Sequence, residues 1–256
     1  MRLADIWLII DIVNHFYSDG LYLIMKLTAL ISGGKDSCFN AIKCIQNNHE
    51  IVSLSNLQPI DIVISTELPL HIQYIKGKPL HLDIDYEMKV GDEVEDLYSL
   101  LKSAKENIEG VSCGAIWSEY QKNRLEHVCE RLDLEPICYL WGSDQSQLLS
   151  EMLGTPDFDI ILVKVACIGL NLSDLGQNLK VLEPKLRLNH QKFGINLCGE
   201  GGEYETFVTR CKMSNFYKHD IVIVKSRKLS IGINGQANDS SLAPVGYLKM
   251  DELKLE

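Results

Sequence analysis

Two short stretches hold most of the residues able to do chemistry. The first is Ser32-Gly33-Gly34-Lys35-Asp36-Ser37. Paired glycines let a backbone turn sharply and approach an anion with no Cβ in the way. Where such a turn opens a helix, the N–H groups of the first helical turn point at that anion, and the helix dipole favours its charge. Lys35 adds a point charge, and Ser32 and Ser37 add hydroxyls. Asp36 beside a phosphate makes sense as a holder of Mg²⁺, which bridges phosphate oxygens. The plain alternative is a glycine turn with a serine cap. The complete string, placed between a strand and a helix, favours a nucleotide instead. It is neither G-x-x-x-x-G-K-[ST] nor G-x-G-x-x-G, so γ-phosphoryl transfer and dinucleotide redox chemistry lose support.

The second stretch is Glu200-Gly201-Gly202-Glu203-Tyr204-Glu205-Thr206. Charge runs of this kind are ordinarily solvated turns. The functional reading is that Glu200, Glu203 and Glu205 face a cation, Mg²⁺ or ammonium. Gly201 and Gly202 would let the backbone close over a substrate, and Thr206 could donate to a phosphate or carboxylate. A third segment, Ser118 to Arg124, follows the end of an expected strand, where open α/β sheets bind ligands. Its best candidate is Arg124, whose guanidinium suits phosphate or carboxylate. The plain reading of that segment is a polar helix start with Arg124 outward. The seven histidines show no H-x-x-H spacing and the eight cysteines no C-x-x-C pair. Zinc and dithiol chemistry therefore find no signature.

The elements that must position these residues follow from hydrophobic period. Residues 26–31 read as a short buried strand and 36–47 as a helix with Cys38, Ala41, Ile42 and Ile45 on one face. Ile51–Leu57, Pro69–Tyr74, Cys113–Trp117, Ile137–Leu140 and Asp159–Val165 read as further strands. Asp92–Glu106, Glu119–Leu132 and Gln145–Leu153 read as helices, the first with acids crowding its amino end. Alternation of apolar strands and helices predicts α/β with a parallel sheet. The last third changes character. After a helix near Asn178–Lys192 it offers Ile195–Cys198, Tyr204–Arg210, Ile221–Val224 and Val245–Lys249 as strands without intervening helices, and Asn234–Ser241 as a loop. The expected division is an appendage over 1–24, a nucleotide-binding domain over 25–140 and a smaller α+β domain over 141–256.

Composition sets the outer bounds. The chain has 256 residues, 46% of them hydrophobic and 23% charged, which suits a globular core rather than disorder. Thirty-five acids against 25 bases give a net charge of −10, which disfavours a broad nucleic-acid surface. The run Trp7-Leu8-Ile9-Ile10, bracketed by Asp5 and Asp11, is too short for a membrane span. Unpaired cysteines in apolar runs suit a reducing, cytoplasmic setting.

Ser32–Ser37 after the first strand resembles the PP-loop of the N-type ATP pyrophosphatases. That resemblance implies a Rossmann-like sheet over about 25–140 and cleavage of ATP between its α and β phosphates. Three further strings narrow it: Gly91–Tyr98, Gly110–Ile116 leading into Ser118–Arg124, and Cys198–Thr206. Together these resemble the diphthamide synthase (diphthine–ammonia ligase) family from about Met25 to Glu256. The resemblance implies a ligase using ATP and Mg²⁺. It would adenylate the carboxylate of diphthine on translation elongation factor 2, then amidate it with free ammonium. It also implies a helix between the second strand and Pro69-Leu70, where this chain has only Ile60–Glu67. Two other readings stand beside it. One is another PP-loop enzyme acting on tRNA or a small molecule; the other is a nucleotide-binding module without turnover.

Overall fold

The computed structural model describes residues 23–58, 68–212, 218–231 and 243–256. The expectations for residues 1–22, for Ile60–Glu67 and for the Asn234–Ser241 loop lie outside the described residues. The strand β1 (Lys26–Leu30) is the middle of a five-stranded parallel sheet. Its neighbours are β2 (Glu50–Gln58), β3 (Leu70–Tyr74), β4 (Gly110–Ser112) and β5 (Glu135–Ile137), in the order β3-β2-β1-β4-β5. Leu27 and Ala29 of β1 have no exposed surface. Thr28, between them, satisfies its hydroxyl on Ser55 Oγ at 2.9 Å.

The chain runs outward from β1 through β2 to β3, then crosses back to β4 and β5. This reversal places the switch point between β1 and β4, where such sheets bind ligands. Helices cover both faces. The helix α1 (Lys35–Gln46) packs Cys38, Phe39, Ala41 and Ile42 on one side. On the other, α2 (Glu93–Ala104) and α3 (Glu119–Leu132) pack Val94, Leu101, Leu125 and Val128. The acids of Gly91–Tyr98 organise the neighbouring chain. Asp92 caps α2 through Val94 N, and its other oxygen accepts from Leu80 N and His81 N. Asp96 accepts from Lys76 N and Gly77 N.

The carboxyl-terminal part is α+β. The strands β6 (Phe158–Val165), β7 (Tyr204–Cys211), β8 (Ile221–Ile231) and β9 (Val245–Leu255) form an antiparallel sheet of order β7-β6-β9-β8. Two helices, α4 (Gln145–Gly154) and α5 (Leu179–Phe193), accompany it. One apolar cluster runs through both sheets, with α1 between them. Phe39 of α1 stacks on Phe158 of β6 with ring centroids 5.9 Å apart.

Several boundaries differ from expectation. Cys113–Trp117 is not a strand; β4 stops at Ser112. Gly114 passes so close to the PP-loop that a Cβ there would lie 2.5 Å from the Asp36 carbonyl carbon. The chain leaves the sheet to make that approach. Ile195–Cys198 is also irregular, although Ile195, Leu197 and Cys198 are buried. Their apolar character reflects packing, not strand pairing. The strand expected at Ile137–Leu140 lies earlier, at Glu135–Ile137. In the second sheet, β8 and β9 run longer than expected because they pair with each other from Ile221↔Leu255 to Ile231↔Val245.

The edge strand β3 is exposed in a particular way. Leu70, Ile72 and Tyr74 are 37%, 45% and 52% exposed. They pair with Leu54, Asn56 and Gln58, so they extend the sheet face on which α1 lies. A right-handed crossover from β2 to β3 would cover that same face. Only residues 59–69 make this connection.

Candidate active site

A cavity of about 560 Å³ opens at the switch point, within the range of small-molecule sites. Its walls come from the carboxyl ends of β1, β2, β3 and β4, the first two turns of the following helices, and Glu200. Ser32, Asp36 and Ser37 of the PP-loop line it. Gly33 takes φ +83°, a conformation glycine adopts without strain, and an added Cβ would lie 3.3 Å from the Phe207 ring. The loop is braced internally: Ser32 N donates to Ser37 Oγ, and Gly34 N donates to Ser32 Oγ. It is also braced by β7. Lys35 N donates to Thr206 Oγ1 at 3.0 Å, and Val208 N donates to Gly33 O at 2.9 Å. Thr206 thus supports the loop from behind. Among the described residues, the amides of Gly33, Asp36 and Ser37 donate to no protein atom. These are the donors an anion at a helix amino terminus would use.

Lys35 is turned away from the cavity. It is 2% exposed, and its ammonium donates to Asp36 Oδ2 at 2.8 Å and to the Cys198 carbonyl. Burial, the largest single influence, pulls its pKa down, but the charge and hydrogen bond of Asp36 together with the neighbouring Tyr204 and Cys198 groups outweigh it, and the net shift is upward. Lys35 therefore ties the PP-loop to the start of the acidic turn. Asp36 presents its second oxygen, Oδ1, to the interior with no hydrogen-bond partner.

The acidic turn splits into three roles. Glu200 lines the cavity, and its Oε2 accepts from Trp117 N at 3.2 Å. Burial raises its carboxyl pKa, the Trp117 amide opposes this, and the Asp36 charge adds to it. Glu203 folds back on its own turn, where Oε1 accepts from Asn196 N at 2.9 Å; its carboxylate lies against Gly201. Glu205 lies on the surface, paired with Lys164 of β6. Gly202 takes φ +79° in the turn. Of the three candidate glutamates, the structure brings only Glu200 to the PP-loop.

Arg124 lines the cavity but is not outward. It is 5% exposed, its guanidinium carbon sits 3.2 Å from the Tyr120 ring centroid, and its NH1 and NH2 donate to the carbonyls of Tyr120, His81 and Asp83. Nε has no partner. Sequence reasoning passed over Asn56 and Cys113, and within Ser118–Arg124 it singled out Arg124 rather than Tyr120 and Gln121; all four also line the cavity. Position carries their signal: each lies at or just beyond the carboxyl end of a parallel strand, or in the first turn of the helix that follows. Among the described residues, no group of three or more His, Cys, Asp or Glu side chains could hold a metal ion by itself, and no helix is long and apolar enough to cross a membrane.

A doubly wound parallel sheet with this loop at its switch point defines a PP-loop protein of Rossmann-like fold. Within that class, the chain belongs to the diphthamide synthase family. The model described as the diphthamide synthase N-terminal domain matches residues 25–136, and that of the C-terminal domain matches 144–238. A Danio rerio protein named diphthine–ammonia ligase is 41% identical over 257 residues, covering 91% of this chain and 97% of its own length. A Homo sapiens protein of the same name is 40% identical over 258 residues, covering 91% and 93%. The Saccharomyces cerevisiae protein of that name is 37% identical, with 72% of this chain matched to 33% of its length.

Proposed function

We propose that this chain is a diphthine–ammonia ligase, which uses ATP to convert the diphthine carboxylate of elongation factor 2 into an amide. The observation that supports this most directly is the meeting of the PP-loop, Asp36 and Glu200 on one cavity. A nucleotide-binding module without turnover has no use for two carboxylates facing a phosphate site.

The residues fit a hard cation. Asp36 Oδ1 is a buried, acceptor-only oxygen without a partner, and Mg²⁺ takes oxygen ligands of that kind. Asp36 would hold it, and Mg²⁺ would neutralise charge on the phosphates. The open amides of Gly33, Asp36 and Ser37, with the hydroxyls of Ser32 and Ser37, bind and orient the phosphates. The substrate carboxylate attacks the α-phosphorus; the bond to pyrophosphate breaks, leaving an acyl-adenylate. Ammonia then forms the C–N bond as the C–O bond to AMP breaks. Glu200, its carboxyl raised by burial, is suited to take the proton that ammonium sheds. The work of the site is mainly positioning and charge compensation.

The test is incubation with ATP, ammonium and diphthine-bearing elongation factor 2. Steady turnover to AMP and amide should require all three, while pyrophosphate release requires ATP and diphthine and, without ammonium, stops at about one equivalent per enzyme. ADP as product, or AMP release without diphthine, would reject the assignment. A cytoplasmic location follows from that substrate, and fractionation alongside ribosomes tests it.

A further inference from the structure

Two tryptophans lie next to residues of this cavity wall: Trp117 stands between Ala115 and Ser118, which line it, and the Trp141 ring lies beside the Trp117 ring. Trp117 lies in the loop after β4 and Trp141 in the loop after β5, so both extend from the carboxyl ends of adjacent parallel strands. Trp117 is 52% exposed, unusual for so large an apolar ring. It is nonetheless held in place: its indole N–H donates to Ser143 O at 3.0 Å, and its backbone N donates to Glu200 Oε2 at 3.2 Å. The two rings lie 6.5 Å apart between centroids, tilted 42°. Trp141 already attracts a cation, since Lys122 Nζ is 5.3 Å from its centroid. Tilted, fixed aromatic rings beside a carboxylate are the chemistry that recognises quaternary ammonium groups.

Diphthine is a modified histidine whose side chain ends in a carbon bearing both a trimethylammonium group and the carboxylate to be amidated. We propose that Trp117 and Trp141, with the Glu200 charge beside them, receive that trimethylammonium group. The proposal rests on the ligase reading above and adds a specificity device to it. Because one carbon separates cation from carboxylate, holding the first delivers the second to the PP-loop side of the cavity. A substrate lacking the quaternary charge would lose both affinity and alignment.

The chain has three tryptophans, so a Trp7→Phe background leaves only this pair as fluorescence reporters. Glycine betaine should change their emission, while 3,3-dimethylbutanoate, the isostere that keeps the carboxylate and lacks the quaternary cation, should not. Trp117→Leu and Trp141→Leu should each raise KM for diphthine-bearing elongation factor by about tenfold, with KM for ATP unchanged. Trp117→Phe should recover most of that loss, and circular dichroism of each variant confirms folding. Equal responses to the two probes, or an unaltered protein-substrate KM in both leucine variants, would overturn the proposal. If betaine acts as expected but AMP release ignores diphthine, the cation receptacle stands and the ligase reading falls. If turnover requires diphthine but the leucine variants retain KM, the reverse holds.

Discussion

The two oxygens of Asp36 differ: one holds the Lys35 ammonium, and the other is buried without a hydrogen-bond partner among the described residues. Asp36→Ala would strand a buried cation, so loss of activity in that variant would confound chemistry with folding. Asp36→Asn keeps an oxygen for Lys35 and removes the charge. It should lower kcat by about 10²–10³-fold and, because Lys35 keeps its acceptor but loses the opposite charge, melt below the parent while remaining folded and above Asp36→Ala, measured by AMP release and circular dichroism. Glu200 makes a different prediction. Its folded carboxyl sits above the ordinary value of 4.5, so the charged form opposes folding. That contribution to stability is complete below about pH 4.5 and is lost as pH rises through the higher folded value. Glu200→Gln should therefore melt above the parent near neutral pH, match it in acid, and turn over slowly. A variant less stable at neutral pH would refute the burial account. The Ser32–Ser37 string was legible because its chemistry is local. The acidic turn was only half legible. Adjacent residues of a turn point in different directions, and Lys164 and Asn196, distant in sequence or fixed by folding, decide where Glu205 and Glu203 go.

At the scale of elements, the alternation of strand and helix predicted α/β with a parallel sheet, and the structure bears this out. Boundaries failed where a buried loop has the composition of a strand. Ala115 and Ile116 in the first segment and Ile195, Leu197 and Cys198 in the second are apolar because they are buried, and no periodicity separates that from β pairing. The β2–β3 connection bears a further prediction. Leu70, Ile72 and Tyr74 extend the α1 face without shelter, and burying such a side chain is worth up to about 2 kcal/mol each. A variant with an amphipathic helix inserted between Gln58 and Pro69 should melt several degrees higher. Equal thermal midpoints would show that the short connection loses nothing.

The whole molecule does not divide at its sheets. The helix α1 begins at the PP-loop and lies between the two sheets, and Thr206 and Val208 of the second sheet brace the loop of the first. Calorimetry should show a single transition with matching calorimetric and van't Hoff enthalpies, and two resolved transitions would contradict this shared core. Composition showed part of the plan, an α/β region followed by strand-rich chain. It did not show the shared helix, because contacts between residues as far apart as Phe39 and Phe158 leave no trace in local pattern.

The edge strand β3 makes protein concentration matter to this chain. Leu-His-Ile-Gln-Tyr contains no lysine, proline or acid, the residues that ordinarily stop one sheet edge from recruiting another. Its outer backbone groups and three outward apolar side chains form a template for self-association. Light scattering on warming should rise steeply with concentration and fall in an Ile72→Lys variant of undiminished activity. Scattering independent of concentration would show that the edge is capped. A cell making this protein would then hold its level down or keep the edge covered, a demand set by the five residues of one sheet edge.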